Sequence, residues 1–347
     1  MKVAVVSPYD LGLAGGVQDQ AMRLTRWLAQ LGHESVLIGP GIEGPQGAKL
    51  LGATIRIPAN RSSMPITLDP RVVRAVREGV EGCDVVHVHE PLMPIVSAAA
   101  TLIGDIPTVG TFHADPSGFI RLGYRVGSLL WRQIIRRLDV VTTVSHVSGS
   151  AVAPFVKARV IANGIDVNDY GHEEKIVNRV TFLGRDDTRK GLQVLLDAWP
   201  AVVAQVPDAE LRVIGAERED EIPGVSYLGR VSERTKISEL SQSDLYCAPN
   251  LGGESFGIVV AEGMASRCAV VASAIPAFTS VLGGAGSFVA PGDSEALGAR
   301  IVGLLTDRDK LESMQRAGAE AVLRFDGPLI AAQYVQAYED AIVRHRS

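Results

Sequence analysis

Hydrophobic positions follow two alternating rhythms along this chain. Short, nearly continuous apolar runs alternate with longer stretches in which apolar residues recur every three or four positions, the period of a helix face. The short runs at 2–8, 35–40, 54–58, 84–89, 108–113, 139–145 and 159–164 predict one set of strands. Those at 180–184, 211–215, 226–229, 244–249, 269–273 and 283–291 predict a second set. Runs that are continuous rather than alternating belong to strands buried on both faces, as in a parallel sheet covered by helices. Between them lie helical patterns such as 17–31, closed by Gly32, and a last one from about 329, apolar at Leu329, Ile330, Tyr334, Tyr338 and Ile342. Strand, helix, strand in this order predicts an α/β fold of doubly wound parallel sheets. Asn163-Gly164 is a turn signal, and the polar stretch 171–175 reads as a linker, which places a boundary at 165/166.

Composition narrows the picture. A chain of 347 residues is long enough for two domains. A net charge of −5 argues against a general nucleic-acid binder. Cys83, Cys247 and Cys268 show no metal or redox spacing and sit in apolar surroundings, as buried thiols of a reducing compartment do. The apolar run at 3–6 is too short for a signal peptide, and no uncharged apolar stretch reaches the length of a membrane span. A cytoplasmic protein is expected.

The stretch with the most chemistry is 251–262, Leu-Gly-Gly-Glu-Ser-Phe-Gly-Ile-Val-Val-Ala-Glu. It follows a buried strand ending at Pro249 and predicts a glycine loop running into a helix that starts near Phe256. The first-turn N–H groups of a helix lack helical partners, and its dipole favours an anion there. Glu254 stands in the loop, and Glu262 lies on the helix, eight residues on. A carboxylate can accept hydrogen bonds from both hydroxyls of a sugar diol. A phosphate cradle between two such carboxylates suits a nucleotide sugar. Taken singly, each glutamate is equally at home as a helix-start acid or a solvated helix residue.

Other candidates are spread along the chain. A first glycine loop, Gly15-Gly16, follows the first strand but lacks the dinucleotide fingerprint. Asp69-Pro70 predicts a helix start, and behind it Arg71, Arg74 and Arg77 recur at three-residue spacing, with Val72, Val73 and Val76 on the other side. That face is either simply solvated or a basic surface for anionic lipid headgroups. His87 and His89 share a strand face without a third metal ligand nearby, so no metal site is expected. His113 stands at a strand's carboxyl end, where α/β folds place functional groups. In 117–138, Arg121, Arg125, Arg132 and Arg136 fall in one sector of a helical wheel beside Ile120, Tyr124 and Trp131, a membrane-surface pattern interrupted by Gly118, Gly123 and Gly127. Arg185 and Lys190 lie in a strand-to-helix loop and suit a diphosphate.

In order, Gly15-Gly16-Val-Gln18, His89-Glu90-Pro91, Thr111-Phe112-His113, Asn163-Gly164-x-Asp166, Gly184-Arg185…Lys190-Gly191 and Glu254-x7-Glu262 resemble the motifs of family 4 retaining GT-B glycosyltransferases across essentially the whole chain. Within that family, 250–259 is most similar to the enzymes that mannosylate phosphatidyl-myo-inositol. The resemblance implies a GT-B fold, two Rossmann-like domains facing across a cleft. They are an acceptor domain of 1–165 with a last helix, about 330–347, crossing back, and a nucleotide-sugar domain of 166–329. It implies that Gly15 and Gly16 border the donor diphosphate and that Arg185 and Lys190 hold it. Ser255, Phe256, Gly257 and Ile258 line the donor site. Glu254 orients the sugar and Glu262 the ribose, His113 touches the sugar, and Tyr9 and Gln18 lie on the acceptor side with the arginine face. GDP-mannose is the expected donor, and phosphatidylinositol or a similar lipid at the inner membrane face the acceptor. No organic cofactor is expected; Mg²⁺ can accompany the diphosphate. UDP-glucose as donor, a soluble acceptor, a nucleotide-sugar epimerase and a non-catalytic binder are the alternatives. Three departures from the family pattern stand out. Ala162 replaces a proline, the loop after Gly184 is a residue shorter and leaves the role of Arg189 open, and Phe325-Asp326-Gly327 lacks a tryptophan.

Overall fold

The computed structural model describes residues 1–59, 62–113, 128–219 and 221–347. They form two compact units, Met1–Gly164 with Gly327–Ser347, and Ile165–Asp326.

The first unit is a parallel sheet with helices on both faces. Its strands are β1 Lys2–Val6, β2 Glu34–Gly39, β3 Lys49–Leu50, the pair β4 Ile55–Ala59 and β5 Ser62–Ile66, then β6 Val85–His89, β7 Thr108–Phe112, β8 Val140–Thr143 and β9 Arg159–Val160. The seven-stranded sheet runs β3-β2-β1-β6-β7-β8-β9. Alternate residues of one strand enter opposite cores. Val3 and Val5 of β1 pack with Leu24 and Trp27 of the helix Gly16–Gln30 and with Tyr334 and Tyr338 of the helix Gly327–His345. Ala4 and Val6 pack with Val72, Val76 and Val80 of the helix Val72–Val80. Burial on both faces is why these strands read as continuous apolar runs.

The second unit repeats the plan with β10 Ile176–Leu183, β11 Glu210–Ile214, β12 Val225–Gly229, β13 Ser243–Ala248, β14 Ala269–Ser273 and β15 Gly286–Val289. Its six parallel strands run β12-β11-β10-β13-β14-β15. Val180, Phe182, Leu245 and Cys247 form its core with Leu195, Trp199 and Ile301 from flanking helices.

Each sheet has one point where chain order reverses direction, between β1 and β6 in the first unit and between β10 and β13 in the second. Ligands of open α/β sheets bind outside the carboxyl ends of strands at such points. The loops after β1, β10 and β13 carry Gly15-Gly16, Arg185–Lys190 and Glu254 respectively.

The structure corrects several local expectations. The run at 54–58 is not a strand of the main sheet but half of the antiparallel hairpin β4–β5. Ile55 is 52% exposed, where a strand of the helix-covered sheet would bury it. The helix after Asp69-Pro70 starts at Val72, and Asp69 Oδ1 instead accepts the Arg71 backbone N–H at 2.9 Å. Val73, expected inside, is exposed. Of the arginine sector at 117–138, Arg132 and Arg136 are exposed, Arg132 on the helix Ser128–Ile135 and Arg136 just after it. Arg121 and Arg125, with Ile120 and Tyr124, lie outside the described residues. Among the described residues, no helix is long and apolar enough to cross a membrane.

Candidate functional site

In the second unit two loops meet backbone to backbone at the reversal point. Gly191 ends the short turn after β10 in the left-handed region, at φ 71°, and begins the helix Leu192–Gln205. A Cβ there would lie 1.9 Å from the Pro249 carbonyl oxygen, so only glycine permits this approach. The Leu251 N–H donates to the Arg189 carbonyl at 2.8 Å and ties the loops together.

The loop after β13 enters its helix at Ile258, two residues later than expected, with Gly257 as N-cap at φ 96° and no side-chain cap. Phe256 is buried edge-on against Phe325, centroids 5.4 Å apart, so its side chain anchors the loop rather than lining a site. Ser255, Ile258 and Val259 are half-buried around the uncapped helix start.

The two glutamates are built alike. Glu254 Oε1 is ion-paired with Lys190 Nζ and accepts from Asn250 Nδ2 at 3.0 Å. Glu262 is buried, and its Oε1 accepts from Lys236 Nζ at 2.7 Å and from the Tyr170 hydroxyl at 3.0 Å. In each carboxylate both bonds fall on Oε1, and among the described residues Oε2 takes none. Burial pulls the Lys236 pKa down, but the charge of Glu262 and the hydrogen bonds that Lys236 donates to Glu233 and Glu262 outweigh it, and the net shift is upward. Lys236 therefore stays cationic against Glu262.

Of the expected phosphate-binding cations, Lys190 is engaged by Glu254. Arg185 is exposed, and among the described residues its guanidinium makes no hydrogen bond or ion pair. Arg189 is held by Asp187 at 2.8 Å and reaches the Gly253 carbonyl at 3.4 Å, so it braces the loop. Hydrogen bonds from Arg189 hold the Asp187 carboxyl below the usual range.

In the first unit, Gly16 opens the helix Gly16–Gln30 with no side-chain cap, and a Cβ on it would meet nothing within 4 Å. Gln18, expected toward an acceptor, is instead buried, and its Nε2 donates to the Asp10 carbonyl at 3.3 Å. Its Oε1 would lie 2.3 Å from a Cβ on Gly15, so it packs against the loop it closes. Tyr9 is half-buried, its hydroxyl 4.0 Å from Met64 Sδ. Arg71, Arg74 and Arg77 are all exposed, Arg71 paired with Asp69 and Arg74 with Glu78.

At the carboxyl ends of β6 and β7 three histidines stand in a file. His87 is held at both nitrogens, by the Tyr338 hydroxyl at 2.9 Å and by Thr111 Oγ1 at 2.7 Å. His89 stacks on it at 4.5 Å and on His113 at 5.0 Å. Burial lowers the His113 pKa to about 3. Burial, with the nearby His113, does the same for His87, to about 3. Burial, then His87 and His113, pushes His89 well below its usual value. The file is neutral at neutral pH. Glu90 has a strained φ of 49°, and its Oε1 accepts the His113 backbone N–H at 2.8 Å.

Lys236, Tyr170, Asn250, His89 and Glu90 were not singled out as site residues in the sequence. Asn250, His89 and Glu90 had a local signal, as members of the motifs they complete; Lys236 and Tyr170 had none. Among the described residues no group of three or more His, Cys, Asp and Glu side chains is placed to hold a metal ion.

Residues 14–169 match the family described as Glycosyltransferase Family 4, and residues 177–307 that described as Glycosyl transferases group 1. A protein of Mycolicibacterium smegmatis named phosphatidyl-myo-inositol mannosyltransferase is 34% identical over 363 residues, 98% of this chain and 94% of its own. A Corynebacterium glutamicum protein, named GDP-mannose-dependent monoacylated alpha-(1-6)-phosphatidylinositol monomannoside mannosyltransferase, is 25% identical over 344 residues, 88% of each chain. The fold is similar to that of Anabaena Alr3699/HepE solved with UDP and glucose, with a TM-score of 0.76 at 20% identity over 98% of this chain and 99% of that one.

Proposed function

The chain belongs to the family 4 glycosyltransferases, and on that premise we propose that it moves mannose from GDP-mannose to phosphatidylinositol, with retention at the anomeric carbon, at an anionic membrane surface. The observation that carries this reading is the matched pair of glutamates, each fixed through Oε1 with Oε2 left unbonded, one before and one within a helix whose start is uncapped. A prepositioned acceptor oxygen costs no reorganisation when a hydroxyl arrives. The names of the mycobacterial and corynebacterial relatives support mannose, its GDP carrier and the inositol lipid.

In this reading Glu254 orients the mannosyl hydroxyls and Glu262 the ribose diol. The bond from the anomeric carbon to the diphosphate breaks, and its electrons stay on the leaving phosphate. Arg185, the helix start at Ile258 and Gly16 are assigned to that charge, with Lys190 linking it to Glu254. The acceptor oxygen bonds to the same face of the sugar, and its proton passes to the leaving phosphate. His113 is assigned to the sugar. Mg²⁺, if it accompanied the diphosphate, would help neutralise its charge.

Incubation with phosphatidylinositol vesicles and GDP-mannose is expected to give a lipid heavier by one hexose; consumption of donor without lipid product contradicts the acceptor. Arg185→Ala should weaken GDP-mannose binding roughly tenfold to a hundredfold, the worth of a charge-assisted hydrogen bond. Calorimetric titration checks this, and unchanged affinity rejects the role.

The arginine helix supplies the membrane surface in this reading. Exposed ion pairs such as Arg71–Asp69 and Arg74–Glu78 are weak and yield readily to an anionic surface. Exposed Leu68 and Val73 add apolar contact. Changing Arg71, Arg74 and Arg77 to Ser should lower affinity for anionic vesicles roughly tenfold to a hundredfold at low salt. Co-sedimentation with vesicles decides the matter; undiminished binding returns this helix to a plain solvated face.

A further inference from the structure

We infer that His89 is a positioning residue for His113, holding that ring as the tautomer protonated on Nδ1 so that it presents a hydrogen-bond donor to the transferred sugar. The inference rests on the reading that His113 meets that sugar.

The geometry begins with the 2.7 Å contact between His89 Nδ1 and His113 Nε2. A neutral imidazole has one N–H and one lone pair, so exactly one of these two nitrogens donates. His89 Nε2 settles which. It is buried and has no hydrogen-bond partner. If His113 donated, His89 would carry its proton on Nε2 as a buried N–H without an acceptor. If His89 donates from Nδ1, Nε2 is left only with an unmet lone pair. Orphaned buried N–H groups are rarer than unmet acceptors. The second assignment is therefore the stable one, and it places the His113 proton on Nδ1. Among the described residues that Nδ1 takes no hydrogen bond, so it is the nitrogen open to a ligand.

The rest of the file keeps the ring from turning. His87, bonded at both nitrogens, backs His89 by stacking. The Ser97 hydroxyl donates to the His89 carbonyl at 2.8 Å. Glu90 pins the His113 backbone N–H, so His113 is fixed by ring and by main chain from neighbouring residues of one strand end. A hydrogen bond to the far ring nitrogen that selects an imidazole tautomer is the usual means of orienting a working histidine.

The test uses the full-length chain labelled with ¹⁵N-histidine. Two-bond proton–nitrogen spectra distinguish the tautomers, and the signal of His113 is identified by its loss in His113→Gln. His113 is expected as the Nδ1–H form. In His89→Phe it should shift toward the Nε2–H form, with kcat for transfer down tenfold or more and KM for the donor changed less than threefold. His89→Asn, whose amide can donate from near the Nδ1 position, should restore the Nδ1–H form and most of the rate, and it serves alone if His89→Phe does not fold. An Nε2–H form in the unaltered chain overturns the inference. So does an unchanged tautomer in His89→Phe, or a rate in His89→Asn as low as that of His113→Ala. A full rate in His113→Ala would instead reject the sugar contact, while the spectra still decide the tautomer.

Discussion

Replacing Glu254 with alanine is expected to lower turnover a hundredfold or more while the chain stays folded and keeps its affinity for GDP within a few-fold. Oε1 of Glu254 is spent on Lys190 and Asn250, and Oε2 remains for ligand. The substitution therefore removes the group that fixes the sugar and leaves the groups that meet the nucleotide. Loss of orientation at a reacting carbon can cost about a hundredfold. It also frees Lys190 to approach the diphosphate, which is why GDP affinity should not fall. Single-turnover kinetics beside a GDP titration separates the two effects. Turnover near that of the unaltered chain contradicts the sugar-orienting role, and a parallel loss of GDP affinity assigns Glu254 to loop structure.

Gly191→Ala is expected to damage both stability and turnover although the residue carries no functional group. Its φ of 71° costs an alanine about 1 kcal/mol. The added Cβ would sit 1.9 Å from the Pro249 carbonyl, and that neighbour is backbone at the end of a buried strand. One loop must move by more than an ångström, at a further cost of about 1–3 kcal/mol. Such movement pulls Lys190 from Glu254, and a misplacement of that size can cost about a hundredfold in rate. Gly303, inside the helix Ser294–Leu305 and with nothing within 4 Å of an added Cβ, is the control: Gly303→Ala should leave turnover unchanged and raise stability by up to about 1 kcal/mol. Denaturation and transfer assays read the result. A Gly191→Ala chain with full activity would show that the contact of the two loops does not set the site.

These two residues also mark how far the sequence can be read. Strands such as β1 and β13 were legible because burial on both faces turns the whole segment apolar. Glu254 was legible because its loop, its helix and its partner glutamate are close in sequence. What holds the glutamates was not. Lys236 and Tyr170 reach Glu262 from 26 and 92 positions away, a relation no local spacing encodes. Gln18 and Phe256 show the converse. Their motifs mark them as site residues, but one closes its loop from inside and the other packs in the core. The hairpin β4–β5 was mistaken for a sheet strand because a short apolar run does not reveal which partner it pairs with. Gly191 was visible only as part of a motif; the carbonyl that forbids a side chain there belongs to Pro249, just after another strand.

The central claim is mannosyl transfer from GDP-mannose to an inositol phospholipid, and one competition assay tests it most directly. The full chain is incubated with phosphatidylinositol vesicles and equal amounts of GDP-mannose, UDP-glucose and UDP-N-acetylglucosamine, and the products are identified by mass, with release of GDP and UDP followed in parallel. The account predicts a phosphatidylinositol heavier by one hexose together with release of GDP alone. Release of UDP with a glycosylated lipid would contradict the donor, and GDP release with the lipid unchanged would contradict the acceptor.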